Sequence, residues 1–74
     1  MKQFDVVKVV AFRDDRFSCA SENYERSPAV GDIGTIVEVY LQPEPAFEVE
    51  CSDRNTGQTI WLAALYPEEL IINR

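Results

Sequence analysis

Apolar and polar positions fall into five short runs separated by breaks of polar residues, glycine and proline. The first run, FDVVKVVAF at 4–12, is rich in valine. Branched side chains crowd a helix and pack well on a pleat, so the run predicts a strand. Residues 13–28, RDDRFSCASENYERSP, are polar and lose all periodicity. They predict a long loop with two aromatic islands, Phe17 and Tyr24. A loop of that length in a compact domain is usually functional or mobile.

Gly31 and Gly34 predict a turn. In the strand that follows, Thr35, Val37, Val39 and Leu41 share one face, and Ile36, Glu38 and Tyr40 share the other. QPEP at 42–45 ends that strand, since proline cannot donate to a ladder. AFEVECS at 46–52 alternates cleanly, with Phe47, Val49 and Cys51 inward and Glu48, Glu50 and Ser52 outward. DRNTG at 53–57 is a hairpin signal, and QTIWLA at 58–63 forms a fourth strand. Pro67 opens a short helical turn with Glu68 and Glu69 in its first turn. Leu70, Ile71 and Ile72 make a brief last strand. Five short strands with little helix predict a mainly β fold, a small barrel that curls nearly closed and so limits its edges.

The chain has 74 residues, enough for one core and one domain, 1–74. A domain this small has little room for a deep pocket, so function is expected on its surface. The N-terminal run is interrupted by Asp5 and Lys8 and has no cleavage site after it, unlike a signal peptide. No stretch approaches the apolar length of a membrane span. The expectation is a cytoplasmic protein with reduced thiols.

Charge narrows the partners. Thirteen acids stand against seven bases, for a net charge of −6. Nucleic-acid affinity comes largely from cationic contacts to phosphates, and such an excess of acid opposes it. An anionic membrane surface is disfavoured in the same way. A local exception is the loop, where Arg13, Arg16 and Arg26, with Arg54 elsewhere, could meet phosphates while Phe17 and Tyr24 stack on bases.

The chemistry of an enzyme is missing. There is no histidine to act as a base near neutral pH. Ser18 and Cys19 have no activating neighbour in sequence. Cys19 and Cys51 lack the spacing of a zinc site, and Cys51 reads as a small buried hydrophobe. Gly31 and Gly34 lack the lysine and the following helix of a phosphate loop. They read as a corner that needs positive φ or close backbone approach. The chain is therefore expected to be no enzyme and to hold no cofactor or metal.

Two surface features remain. Trp61 shares a face with Thr59 and Ala63. If Ile60 and Leu62 point inward, Trp61 points outward as an interface anchor; otherwise it packs under the loop or against Tyr66. The second feature is acidic. With Val37 and Val39 facing the core beside Phe47 and Val49, the pairing register is restricted. Leu41 opposite Phe47 sets Glu38 against Glu50, and Val39 opposite Phe47 sets Glu38 against Glu48. Either way two glutamates meet across the strands, which costs a fraction of a kcal/mol unless solvent screens them or a basic partner relieves them. Tyr40 is the neighbouring aromatic contact.

The order of elements resembles the SH3-like barrel, with the long loop in the place of the RT loop and the turn at Pro67 in that of the 3-10 turn. VGDIGTIVEVY at 30–40 looks like the glycine-led strand of KOW barrels. FDVVKVV, VGDIGTIVEVY, FEVECSD, Gly57 with TIWLA, and PEEL, in that order, resemble the domain of unknown function 4926, a family of small bacterial proteins. The loop at 13–27 is longer than the resemblance implies, so no partner site carries over to it. The resemblance implies a fold and, through genes paired in the toxin–antitoxin manner, a protein partner. The expected function is a small acidic protein-binding module, antitoxin-like or immunity-like, that occludes a basic partner through Glu38, Tyr40, Glu48, Glu50 and Trp61. The alternatives are a KOW- or Tudor-like nucleic-acid binder and a non-catalytic accessory subunit. A homo-oligomer through an open strand edge is a further option.

Overall fold

The computed structural model describes residues 1–19 and 23–73. Five strands form one antiparallel sheet: β1 (Val6–Val9), β2 (Ile33–Tyr40), β3 (Ala46–Ser52), β4 (Thr59–Leu65) and β5 (Leu70–Ile72), in the order β4-β3-β2-β1-β5. A 3-10 turn, Pro67–Glu69, lies between β4 and β5. The mainly β class, the strand count and the short turn are as the sequence predicts. The first strand is shorter than its apolar run, since Val10 already leaves the ladder and donates to the carbonyl of Glu69. Among the described residues no helix is long and apolar enough to cross a membrane.

The sheet must bend. Laid flat, five strands would set the two edges about 19 Å apart. Yet the chain passes from the end of β4 at Leu65 to the start of β5 at Leu70 through one 3-10 turn. Those five steps reach roughly 13 Å. The edges are drawn toward one another around a single core of Val7, Val9, Ile36, Phe47, Val49, Cys51, Trp61, Leu65 and Leu70, to which every strand contributes.

Both glycines of the corner have the roles expected of them. Gly31 adopts φ +98°, a left-handed conformation that an L side chain resists. Gly34 lies under β3, where an added Cβ would come within 2.7 Å of the Glu50 carbonyl oxygen and of Val49 Cγ1.

The inward face of β2 differs from the sequence expectation. Ile36, assigned outward, is fully buried, and Val37, assigned inward, does not reach the core. The cause is a β-bulge: the register shifts between Ile36 and Glu38, leaving Val37 as the extra residue. Ile36 and Val39 then both turn inward although they are three residues apart. A second shift in β3–β4, between Cys51 and Ser52, falls where Ile60 is inserted. It lets Ile60 pack on the core together with Trp61.

Trp61 is a correction. The outward placement that would make it an interface anchor is not found: its side chain is 1% exposed. Trp61, Ala63 and Leu65 supply the inward face of β4, and Leu62 lies outside. Cys51 is buried and Cys19 exposed, and both are free thiols.

Candidate functional site

Two carboxylates organise the long loop. Glu69, at the end of the 3-10 turn, is fully buried. Arg16 grips it with two parallel hydrogen bonds, Nη1 to Oε2 at 2.9 Å and Nη2 to Oε1 at 2.5 Å. The amides of Arg13 and Tyr66 donate to the same carboxylate, each at 2.8 Å. Burial alone would push the Glu69 pKa up. The arginine and the two amides outweigh it and hold the carboxyl below its usual range. Arg16 also reaches the Ala64 carbonyl on β4. The start of the loop is thus fastened across the end of an edge strand.

Asp32 fastens the other end. Its carboxylate accepts both terminal nitrogens of Arg26, at 2.7 and 3.0 Å, and the Ala29 amide at 2.9 Å. Trp61 Nε1 donates to it at 2.8 Å. A buried indole N–H needs an acceptor, and Asp32 is that acceptor. Burial again works upward on the carboxyl, and these hydrogen bonds bring it below its ordinary value.

The arginines proposed as a phosphate-binding loop surface are therefore engaged at home. Arg13 pairs with Glu68 and Glu44 and lies over the Tyr66 ring at 3.4 Å. Arg16 pairs with Glu69 and Asp14, and Arg26 with Asp32. Phe17 packs on the core and meets the Phe12 ring edge-on at 5.4 Å. Tyr24 helps line a cavity of about 260 Å³ with Phe17, Arg16, Arg26 and Trp61. Arg54 is exposed in the β3–β4 turn. The loop expectation also covers residues 20–22, which lie outside the described residues.

The opposite situation holds on the outer face of β2 and β3. Val39 lies opposite Phe47 and Glu38 opposite Glu48, which is the second of the two registers the sequence allows. Glu50 lies between Thr35 and Leu62 and accepts a hydrogen bond from Thr59 Oγ1 at 2.8 Å. Tyr40 Oη donates to Glu48 Oε1 at 3.2 Å. The charge of Glu48, then partial desolvation, that hydrogen bond and the charge of Glu38 push the phenol above its ordinary pKa. Glu38 accepts only the neighbouring Val39 amide among the hydrogen bonds of the described residues. No ion pair among those residues reaches Glu38, Glu48 or Glu50. Four of the five residues proposed as a partner site, Glu38, Tyr40, Glu48 and Glu50, share this face, and Trp61 does not.

The face continues into a groove. Tyr40, Gln42, Pro43, Glu44, Ala46, Ala64 and Tyr66 enclose about 260 Å³ at the β2–β3 hairpin. Sequence reasoning missed this groove, and it missed the partners of Asp32 and Glu69. The capping position of Glu69 three residues after Tyr66 was a usable signal; the contacts to Arg16 and Trp61 had none, because they join residues distant in sequence.

A family model described as Domain of unknown function (DUF4926) matches residues 22–72. The chain belongs to the DUF4926 family. The DUF4926 match takes in β2 to β5, with the acidic face, Asp32, Trp61 and Glu69, and leaves β1, Arg13 and Arg16 outside it. No curated protein and no solved structure matches the chain.

Proposed function

We propose that this DUF4926 protein is a small acidic binding module whose outer β2–β3 face covers a cationic surface of a partner protein. The observation that carries the reading is the Glu38–Glu48 pair. Two glutamates sit directly opposite on an accessible face, with no ion pair among the described residues to offset them. Such an arrangement disfavours the isolated sheet and is relieved by basic groups from outside. The internal pairing of Arg13, Arg16 and Arg26 supports a protein partner over a nucleic acid, because those cations are already spent on carboxylates.

The regulatory role, occlusion of a basic partner in the manner of an antitoxin or immunity protein, rests on the family resemblance. So does the reading of the curled sheet as a small SH3-like barrel in a bacterial cytoplasm, a setting with which the two free thiols agree.

The test is charge reversal on the face. The wild-type protein and the Glu38→Lys/Glu48→Lys variant are used to capture proteins from source cells at low and moderate salt. The expected result is a basic protein retained by the wild type, released by salt and lost with the variant. Retention of the same proteins by both would overturn the reading.

A further inference from the structure

The groove beside the acidic face is the feature the proposed function leaves unused. At about 260 Å³ it is smaller than the 300–1,000 Å³ typical of small-molecule pockets. That is room for one side chain. Its walls are two tyrosines, a proline and two alanines, and Glu44 is the charged residue among its lining. Aromatic faces attract cations through their negative quadrupole. Tyr66 already attracts two: the Arg13 and Arg16 guanidiniums lie 3.4 and 4.8 Å from its centroid, although neither arginine lines the groove, which leaves the half-exposed Tyr40 ring to meet an incoming cation.

Charge points the same way. Tyr40, on one wall, donates to Glu48, and Glu48 lies opposite Ala64 of the wall and opposite Glu38 across β2. Glu44 has Arg13 as its partner, but Glu38 and Glu48 have no ion pair among the described residues. A cationic head at the rim would therefore meet uncompensated carboxylates, while its aliphatic stem would lie along Pro43, Ala46 and Ala64.

We infer that the groove between Tyr40 and Tyr66 is a socket for a single lysine or arginine side chain of the partner. The inference rests on the acidic-face reading and deepens it. It assigns the anchoring contact to the hairpin end of the face, with the Glu38–Glu48 pair as its flank.

The probe is acetyl-tetralysine amide, titrated at millimolar concentration into the isotope-labelled protein and followed by NMR, with acetyl-norleucine amide as the neutral control. The expected result is a set of shifts at Tyr40, Ala46, Ala64 and Tyr66 as well as at Glu38 and Glu48. Tyr40→Leu, at a half-exposed position, should weaken binding about tenfold, the order expected for a lost cation–aromatic contact. Acetyl-norleucine amide should leave the groove unmoved. Tetralysine that binds in a Glu38-dependent way, with groove resonances and the Tyr40→Leu affinity unchanged, overturns the socket and leaves the acidic face standing. Equal shifts from norleucine, or no shifts from tetralysine, also overturn the socket. The face itself then stands or falls with the charge-reversal capture.

Discussion

Asp32 takes four hydrogen bonds on two oxygens, and they come from two parts of the chain: Arg26 and Ala29 in the loop, and Trp61 on β4. One side chain thus ties the end of the loop to the largest residue of the core. Asp32→Ala removes the acceptor of a buried indole N–H and leaves Arg26 without its carboxylate. An orphaned buried donor together with a lost charged hydrogen bond should cost about 2–3 kcal/mol. Asp32→Asn retains an oxygen for Trp61 and gives up the charge, so it should cost less. Urea unfolding followed by the fluorescence of the sole tryptophan measures both. Equal losses in the two variants would show that the Arg26 pair, and not the indole bond, carries the effect.

At the scale of the strand, β2 is decided by two features, one legible in the sequence and one not. Gly34 is legible, because a glycine ahead of an alternating strand announces a close approach, and the close approach is to β3. Gly34→Ala would drive a methyl into the Glu50 carbonyl and Val49, atoms of the neighbouring strand that cannot swing aside. It should destabilise by about 3 kcal/mol, the upper end of overpacking. Gly31→Ala meets open space and bears only the left-handed φ, which costs roughly 1 kcal/mol. Chemical denaturation of the two variants checks that order, and a larger loss at Gly31 would reverse the account. The bulge at Val37 is not legible. Thr35, Val37 and Val39 make a clean alternating stripe in the sequence, and Ile36 is inward only because one residue is inserted against β3. The same limit applies to Trp61, whose inward face follows from the pairing of Cys51 with Trp61 and from an irregularity beside it. Local pattern does supply the elements that need no distant partner. The turn at Asp53 is one, where its side chain accepts the Asn55 and Thr56 amides, and Pro67 at the head of the 3-10 turn is another. The loop clamps could not be read, since Arg16 and Glu69 stand 53 residues apart and nothing local marks either for the other.

Over the whole molecule, charge is sorted by place. Asp14, Asp32, Glu44, Asp53, Glu68 and Glu69, near the loop and the turns, are bonded, and the glutamates of the outer β2–β3 face have no ion pair among the described residues. The bonded ones set the response to acid. Lys2 holds Asp5 below its ordinary pKa, Arg16 does so for Asp14, Arg13 for Glu68, and the Thr56 and Asn55 amides for Asp53. In Asp32 and Glu69 burial opposes the shift, and their hydrogen bonds win. All six are therefore lower in the folded state than in the unfolded chain, where Asp and Glu titrate at about 3.9 and 4.3. The unfolded chain binds more protons in that range, so stability rises with pH there. The contribution is fully present above those values and is lost as pH falls through the folded ones. Stability should accordingly be flat from pH 7 to about 5 and fall below about 4, chiefly through Asp32 and Glu69, since solvent screens the contacts of the other four. Glu69 allows its own share to be isolated. Glu69→Gln leaves Arg16 facing a neutral amide in a buried site, at a cost of about 3 kcal/mol at pH 7. Below its folded pKa the wild-type Glu69 is itself neutral and equivalent to glutamine in charge. The urea midpoints of the two proteins should therefore converge as pH falls below about 4 and through the lowered pKa of Glu69. A gap that stays constant across that range would mean that Glu69 acts through shape alone, and the charged clamp on Arg16 would not be what holds the loop.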